Sequence, residues 1–140
     1  GDMRSVNYVV DITPDFEEVQ YRVRPIDFDQ QSYEGRGSTY LAYRFDSNRA
    51  ITRLAFKMLN RATIEQYVVE EHAQMARRAQ VEPSRLTALL GIIRREEIAP
   101  QKNAKRLAAE LAKYHQDDIF RNCRTMGELT ATHISHMLKI

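Results

Sequence analysis

The pattern of apolar and polar positions changes character near residue 46. In the stretch Val-Gln-Tyr-Arg-Val-Arg at 19–24, apolar and polar side chains alternate, which is typical of a half-buried strand. A second apolar run covers 7–12, and Thr13-Pro14-Asp15 begins a polar connection between the two runs. The pattern therefore predicts two antiparallel strands, at about 7–12 and 19–25, with Pro25 ending the regular pairing.

Beyond residue 46 the apolar side chains recur every three to four positions, which predicts four or five helices. Residues 29–45 are expected to be irregular. Because two strands cannot bury a core by themselves, the hairpin is expected to pack on the helices. The first helix is expected to have its N-cap at Asp46 or Ser47, and a second helix is expected at about 63–80. Pro83 suits the first turn of a third helix, and Pro100 separates that helix from a fourth. Thr125 and Glu128 have the spacing of a capping box at the start of the last helix.

These elements predict an α+β fold in a single domain of 140 residues. Its N-terminal antiparallel β-hairpin and loop occupy 1–45, packed on a four- to five-helix C-terminal body at 46–140. No apolar run of ~18 residues is present, so a transmembrane helix is not expected. The lone Cys123 gives no support for an oxidising compartment, and a cytoplasmic location is expected. A formal charge of +2 does not by itself indicate a nucleic-acid partner.

The residues with the clearest chemistry lie near the N-terminus. Asp2 is followed five positions later by Asn7, which opens the first predicted strand, and the second predicted strand leads into Ile26-Asp27-Phe28-Asp29. This order resembles the catalytic segment of the protein-kinase-like fold, including aminoglycoside-type phosphotransferases. The resemblance covers about residues 1–30, and the later helices agree with a kinase C-terminal lobe only in class.

The resemblance implies transfer of the ATP γ-phosphoryl group to a hydroxyl acceptor with Mg²⁺. It makes Asp2 the catalytic base, and it makes Asn7 and Asp27 the metal ligands. Arg4 would stabilise charge on the transferred phosphate, and Asp29 would be an additional carboxylate near the metal. Carboxylate and amide oxygens are ligands that suit Mg²⁺.

The sequence also departs from the kinase pattern. Gly1 matches the His-Gly-Asp form of small-molecule kinases, although a glycine left by cloning would look the same, and Asp29 stands where protein kinases have Gly. No glycine-rich nucleotide loop or phosphate-pairing Lys precedes Asp2. The expectation is a C-terminal part of a kinase-like enzyme, inactive in isolation, whose nucleotide lobe is supplied by a missing N-terminal segment or a partner chain. The alternative is a non-catalytic helical protein-interaction module.

Other residues have ordinary explanations as well as functional ones. His133 and His136 are three positions apart and could touch one metal, but without an H-E-x-x-H pattern they are better explained as helix-surface histidines. No partner is evident for His72 or His115. Cys123 between arginines is better explained as a buried or incidental thiol than as a nucleophile. Gly35-Arg36-Gly37-Ser38 is better explained as a flexible turn than as a nucleotide loop.

Overall fold

A computed structural model of the chain describes residues 7–14, 19–26, 33–41, 44 and 48–139. Over these residues the fold is α+β, as predicted: an N-terminal antiparallel hairpin is followed by α-helices. None of the described helices combines the length and the apolar character needed to cross a membrane. The elements are β1 Tyr8–Pro14, β2 Val19–Pro25, α1 Gly37–Tyr40, α2 Arg49–Met58, α3 Arg61–Val81, α4 Pro83–Arg95, α5 Gln101–His115, a 3₁₀ helix at Asp118–Asn122 and α6 Met126–Leu138.

The hairpin forms where the alternation predicts it. Its register pairs Tyr8 with Pro25 at one end and Pro14 with Val19 at the other. Successive side chains of a strand point to opposite faces, so this register places most of the hairpin's apolar residues on one face and its polar residues, together with Val9, on the other. The apolar face comprises Val10, Ile12, Pro14, Val19, Tyr21 and Val23.

The apolar face of the hairpin is exposed to solvent. Ile12, Tyr21 and Val23 retain 63%, 70% and 59% of their accessible surface. The prediction of a half-buried β2 was therefore wrong for Tyr21 and Val23, because alternation shows which residues share a face but not what covers that face. On the opposite face, the Asp11 carboxylate forms an ion pair with the Arg24 guanidinium, whose Nε lies 2.7 Å from it.

The hydrophobic core is centred on α5. The helix places apolar side chains on one face at helical spacing, and these meet side chains from the 3₁₀ helix and from α6. Full burial of a large apolar side chain contributes about 1.5–3 kcal/mol, so this cluster is a principal source of the fold's stability. Its buried members are Ala104, Leu107, Ala108, Leu111, Ala112, Phe120, Met126 and Leu129.

The start of α6 confirms the predicted capping box. Thr125 Oγ1 accepts a hydrogen bond from the Glu128 backbone N–H at 3.1 Å, and the Glu128 carboxylate accepts from the Thr125 N–H in return. Gly127, in the first turn, lies so close to the end of α4 that a Cβ would overlap the carbonyl oxygens of Ile93 and Glu96. This contact fixes the approach of α6 to α4.

Helices α2 and α3 also depart from expectation. The N-cap position of α2 is Asn48 rather than Asp46 or Ser47, and these two residues lie outside the described part of the chain. The apolar side chains that predicted the two helices remain largely exposed: Leu54 is 56% exposed and Tyr67 is 53% exposed. The spacing thus predicted the helices correctly without indicating a partner for their apolar faces.

The segment before α1 is held against α5, where an irregular and flexible stretch was expected. Arg106 Nε donates to the Gly35 carbonyl at 2.9 Å, and the Gly37 N–H donates to the Glu110 carboxylate at 2.9 Å. Gly35 has a φ of +62°, in the left-handed region that favours glycine, and its backbone lies against that of Asn103. The Gly-Arg-Gly-Ser stretch is therefore the start of a short helix fixed to the core and not a loose turn.

Candidate functional site

At the open end of the hairpin, the strand pairing continues to Asn7 and Ile26. The Ile26 N–H donates to the Asn7 carbonyl at 3.0 Å, which extends the ladder one step beyond the Tyr8–Pro25 pair. Asn7 therefore lies opposite the residue that directly precedes Asp27. The Asn7 residue is buried, with 6% of its surface exposed.

Asn7 is the member of the predicted site whose position the structure describes. Asp2, Arg4, Asp27 and Asp29 lie outside the described residues. The hairpin thus places Ile26, the residue before Asp27, opposite Asn7. The positions of the four other side chains stay predictions. An amide oxygen and a neighbouring carboxylate form a donor set that suits Mg²⁺.

A second group of chemically active side chains surrounds the buried ring of Phe120. The Tyr40 hydroxyl lies 2.9 Å from His133 Nδ1, and His133 Nε2 lies 3.0 Å from His115 Nε2. His136 completes the group, with its ring centroid 4.6 Å from that of His115. We call Tyr40, His115, His133 and His136 the histidine cluster; it joins α1, α5 and α6.

Burial shifts the pKa values of three members of the histidine cluster, Tyr40, His115 and His133. Desolvation, followed by the nearby rings of His115 and His136, lowers the pKa of His133 to about 4. Desolvation and the nearby His136 also lower the pKa of His115, although the negative charge of Asp117 acts in the opposite direction and raises it. Burial raises the pKa of Tyr40 to about 12. The buried part of the cluster is therefore held neutral near pH 7, because a charge there would lose its hydration.

The cluster corrects the sequence-based account of the histidines. His133 and His136 are half-buried and in contact with other rings, whereas helix-surface positions were expected. His115, for which no partner was evident, contacts both. The spacing of His133 and His136 gave a signal for that pair, but His115 is 18 positions from His133 and joins them only through the packing of α5 on α6.

Cation binding by these groups finds no geometric support. No three His, Cys, Asp or Glu side chains within the described ranges are arranged to hold one metal ion. A metal shared by His133 and His136, the less favoured explanation of their spacing, therefore lacks a third ligand among these residues. His136 Nε2 instead faces the Asp117 carboxylate at 3.5 Å.

Cys123 has a local structural partner. Its Sγ lies 3.4 Å from Thr132 Oγ1 on α6, and the residue is partly buried. No histidine is within hydrogen-bond distance of this sulfur among the contacts of the described residues. The partly buried position agrees with the expectation of a buried or incidental thiol.

Comparison with protein-family models, with curated proteins and with solved structures found no match to this chain.

Proposed function

We propose that this chain carries the catalytic-loop and metal-binding segment of a kinase-like phosphotransferase. The observation that carries the proposal is the hydrogen bond from the Ile26 N–H to the Asn7 carbonyl at 3.0 Å. It supports a hairpin whose open end presents an amide-bearing residue beside the chain that leads into Asp27. Two metal ligands 20 positions apart need such a pairing to share one cation.

Each residue of the motif has a distinct role in this proposal. Asp2 accepts the proton of the attacking hydroxyl, and Arg4 donates hydrogen bonds to the transferred phosphoryl group. Asn7 and Asp27 hold Mg²⁺, with Asp29 as a further carboxylate at its edge. The bound cation would supply charge neutralisation for the phosphate oxygens of ATP.

Nucleotide binding in this proposal also needs parts that the sequence does not contain. A glycine-rich loop and a phosphate-pairing Lys, provided by another segment or a partner chain, would hold the triphosphate. We therefore expect weak or no ATP–Mg²⁺ binding by the 140 residues alone, measured by calorimetry. Tight binding would show that the nucleotide site has been misplaced.

A divalent-metal titration tests the proposed site without ATP. Mn²⁺ is added to ¹⁵N-labelled protein, and paramagnetic broadening of amide signals is recorded for the hairpin. We expect the strongest broadening at Tyr8 and Ile26, because these residues flank the proposed ligands. Asp27→Asn should abolish this broadening, since it removes the ligand charge with little change in size.

Asp11→Asn serves as the matched control for that titration. Asp11 lies on the polar face in the middle of β1, paired in register with Arg22. Its substitution should leave the broadening at the open end unchanged. Broadening centred on Asp11, or no preference for the open end, would contradict the proposal.

The exposed apolar side chains favour a second candidate, a non-catalytic protein-interaction module. The hairpin's apolar face and the apolar positions of α2 and α3 provide contact surface that the described residues leave open. Sedimentation over a range of protein concentrations tests for self-association. The test variants are Ile12→Ser and Tyr21→Ser on the apolar face, and Thr13→Ser on the opposite face is the control. The interaction module gains support if Ile12→Ser and Tyr21→Ser reduce self-association and Mn²⁺ shows no preference for the open end of the hairpin. It fails if the wild-type chain does not self-associate, or if these two substitutions leave self-association unchanged.

A further inference from the structure

A cavity of about 910 Å³ opens between the end of α4, the 3₁₀ helix and α6. Three cationic side chains line it: Arg94, Arg124 and Lys139. A single carboxylate, that of Glu128, is among the lining residues. The cavity is separate from the open end of the hairpin, and its charge is unlike that of a metal site.

The three cations have no ion-pair partner among the residues that the structure describes. The Glu128 carboxylate is already engaged, because its Oε2 accepts the backbone N–H of Arg124 at 2.6 Å and that of Thr125 at 3.4 Å. These bonds hold the carboxylate at the start of α6, and even with its charge counted the lining cations outnumber the lining carboxylate by three to one.

Helix dipoles account for two of the cations but not for the third. Arg94 lies in the last turn of α4 and Lys139 caps the end of α6, where positive charge is favourable. Arg124 lies just before Thr125, the N-cap of α6. A cation near a helix N-terminus is disfavoured by the dipole, so Arg124 is not explained by the stability of its own helix.

The cavity also offers neutral hydrogen-bond donors next to these charges. Thr132 and Ser135 of α6 both line it. Arginine side chains and hydroxyl groups together match the oxygens of a phosphoryl group, and the planar guanidinium can donate two parallel hydrogen bonds to them. We propose that this cavity binds a phosphoryl dianion, supplied by inorganic phosphate or by a small phosphate monoester.

The test is a titration followed by the ¹H–¹⁵N chemical shifts of the chain, at constant ionic strength and without divalent metal. The probes are inorganic phosphate and O-phosphoserine. We expect saturable shifts at the amides of Arg94, Cys123 and Ser135. Because no metal is added, this titration is independent of the Mn²⁺ titration that tests the proposed phosphotransferase site. A negative result in one titration therefore leaves the other proposal standing.

Charge-removing variants give the decisive comparison. Arg94→Gln and Arg124→Gln should each weaken binding about tenfold or more, because each removes a charged hydrogen-bond donor. Arg77→Gln, on the exposed surface of α3, is the matched control and should leave binding unchanged. If Arg124→Gln disturbs folding, Lys139→Gln replaces it, with a weaker but measurable loss expected.

The outcomes are distinct. Saturable binding of both probes identifies the phosphoryl group itself as the ligand, and binding of O-phosphoserine alone identifies a monoester. The proposal is overturned if neither probe produces saturable shifts at the cavity, or if Arg77→Gln reduces binding as much as Arg94→Gln does.

Discussion

His115 and His133 face each other through their Nε2 atoms, 3.0 Å apart. A neutral imidazole has one N–H donor and one acceptor nitrogen, whereas a protonated imidazole has two donors. The contact therefore requires at least one of the two rings to be unprotonated. Tyr40 engages the other nitrogen of His133, so the protonation of one ring affects contacts from α1 through to α5.

The first prediction concerns pH. Folding lowers the pKa of His133 from 6.5 to about 4, so the folded state favours the neutral ring. The resulting stability is present above pH 6.5 and is lost as the pH falls towards 4. We expect a loss on the order of 2 kcal/mol, reduced from the full shift by the partial exposure of the ring, measured by urea unfolding at pH 7 and pH 4.

His133→Gln should remove most of this pH dependence, whatever its effect on stability at pH 7. Asp117, which faces the cluster, and the cluster members His115 and His136 are retained in that variant. His72→Gln, on the exposed surface of α3, is the control and should retain the dependence. Equal pH dependence in wild type and His133→Gln would show that the cluster does not cause it.

The second prediction uses two glycines in different surroundings. Gly127→Ala should destabilise the fold by about 2 kcal/mol or more, because its Cβ would overlap backbone carbonyls at the end of α4. Gly91→Ala has no heavy atom within 4 Å of the added Cβ. It should stabilise α4 by about 0.5–1 kcal/mol through helix propensity. Thermal unfolding of both variants tests the pair, and a neutral Gly127→Ala would contradict the described contact of α6 with α4.

The third prediction concerns the contact of α5 with the segment before α1. Arg106 donates to the carbonyls of Glu34 and Gly35. Arg106→Gln should therefore release this segment and speed hydrogen exchange at the Gly37 amide, with a cost of about 1–2 kcal/mol. Lys105→Gln, at an exposed neighbouring position, is the control. Unchanged exchange at Gly37 in Arg106→Gln would mean that Glu110 holds the segment by itself.

The fourth prediction concerns the capping box of α6. Thr125→Ala removes the acceptor for the Glu128 N–H and should cost about 1 kcal/mol in chemical unfolding. Thr87→Ala provides the comparison, because the Thr87 hydroxyl bonds to the Pro83 carbonyl inside a helix, where alanine is well tolerated. Similar losses in the two variants would argue against a specific contribution from the cap.

Local sequence signals predicted most of the fold's elements. Alternation located β2, an apolar run located β1, Pro83 located the start of α4, and the capping box located the start of α6. These signals succeed because they depend on residues close in sequence. The N-cap of α2 was misplaced because Asp46, Ser47 and Asn48 are all good capping residues and only their three-dimensional setting distinguishes them.

Signals that depend on distant contacts were not available from the sequence. The pattern of Tyr21 and Val23 could not show that their face of the hairpin stays exposed. His115 meets His133 only because α5 and α6 pack together, and no local spacing encodes that contact. At the proposed catalytic site, the sequence supplied the motif, and the described hairpin adds the position of Asn7 opposite Ile26.

The central claim is that the hairpin's open end holds a divalent cation between Asn7 and Asp27. A crystal structure of the protein soaked in MnCl₂, with anomalous scattering from manganese, tests it most directly. The account predicts an anomalous peak with the Asn7 amide oxygen and an Asp27 carboxylate oxygen both within about 2.5 Å, and with the Asp2 carboxylate beside the same cleft. An Asp27 carboxylate directed to a different face of the molecule from the Asn7 amide would contradict the claim.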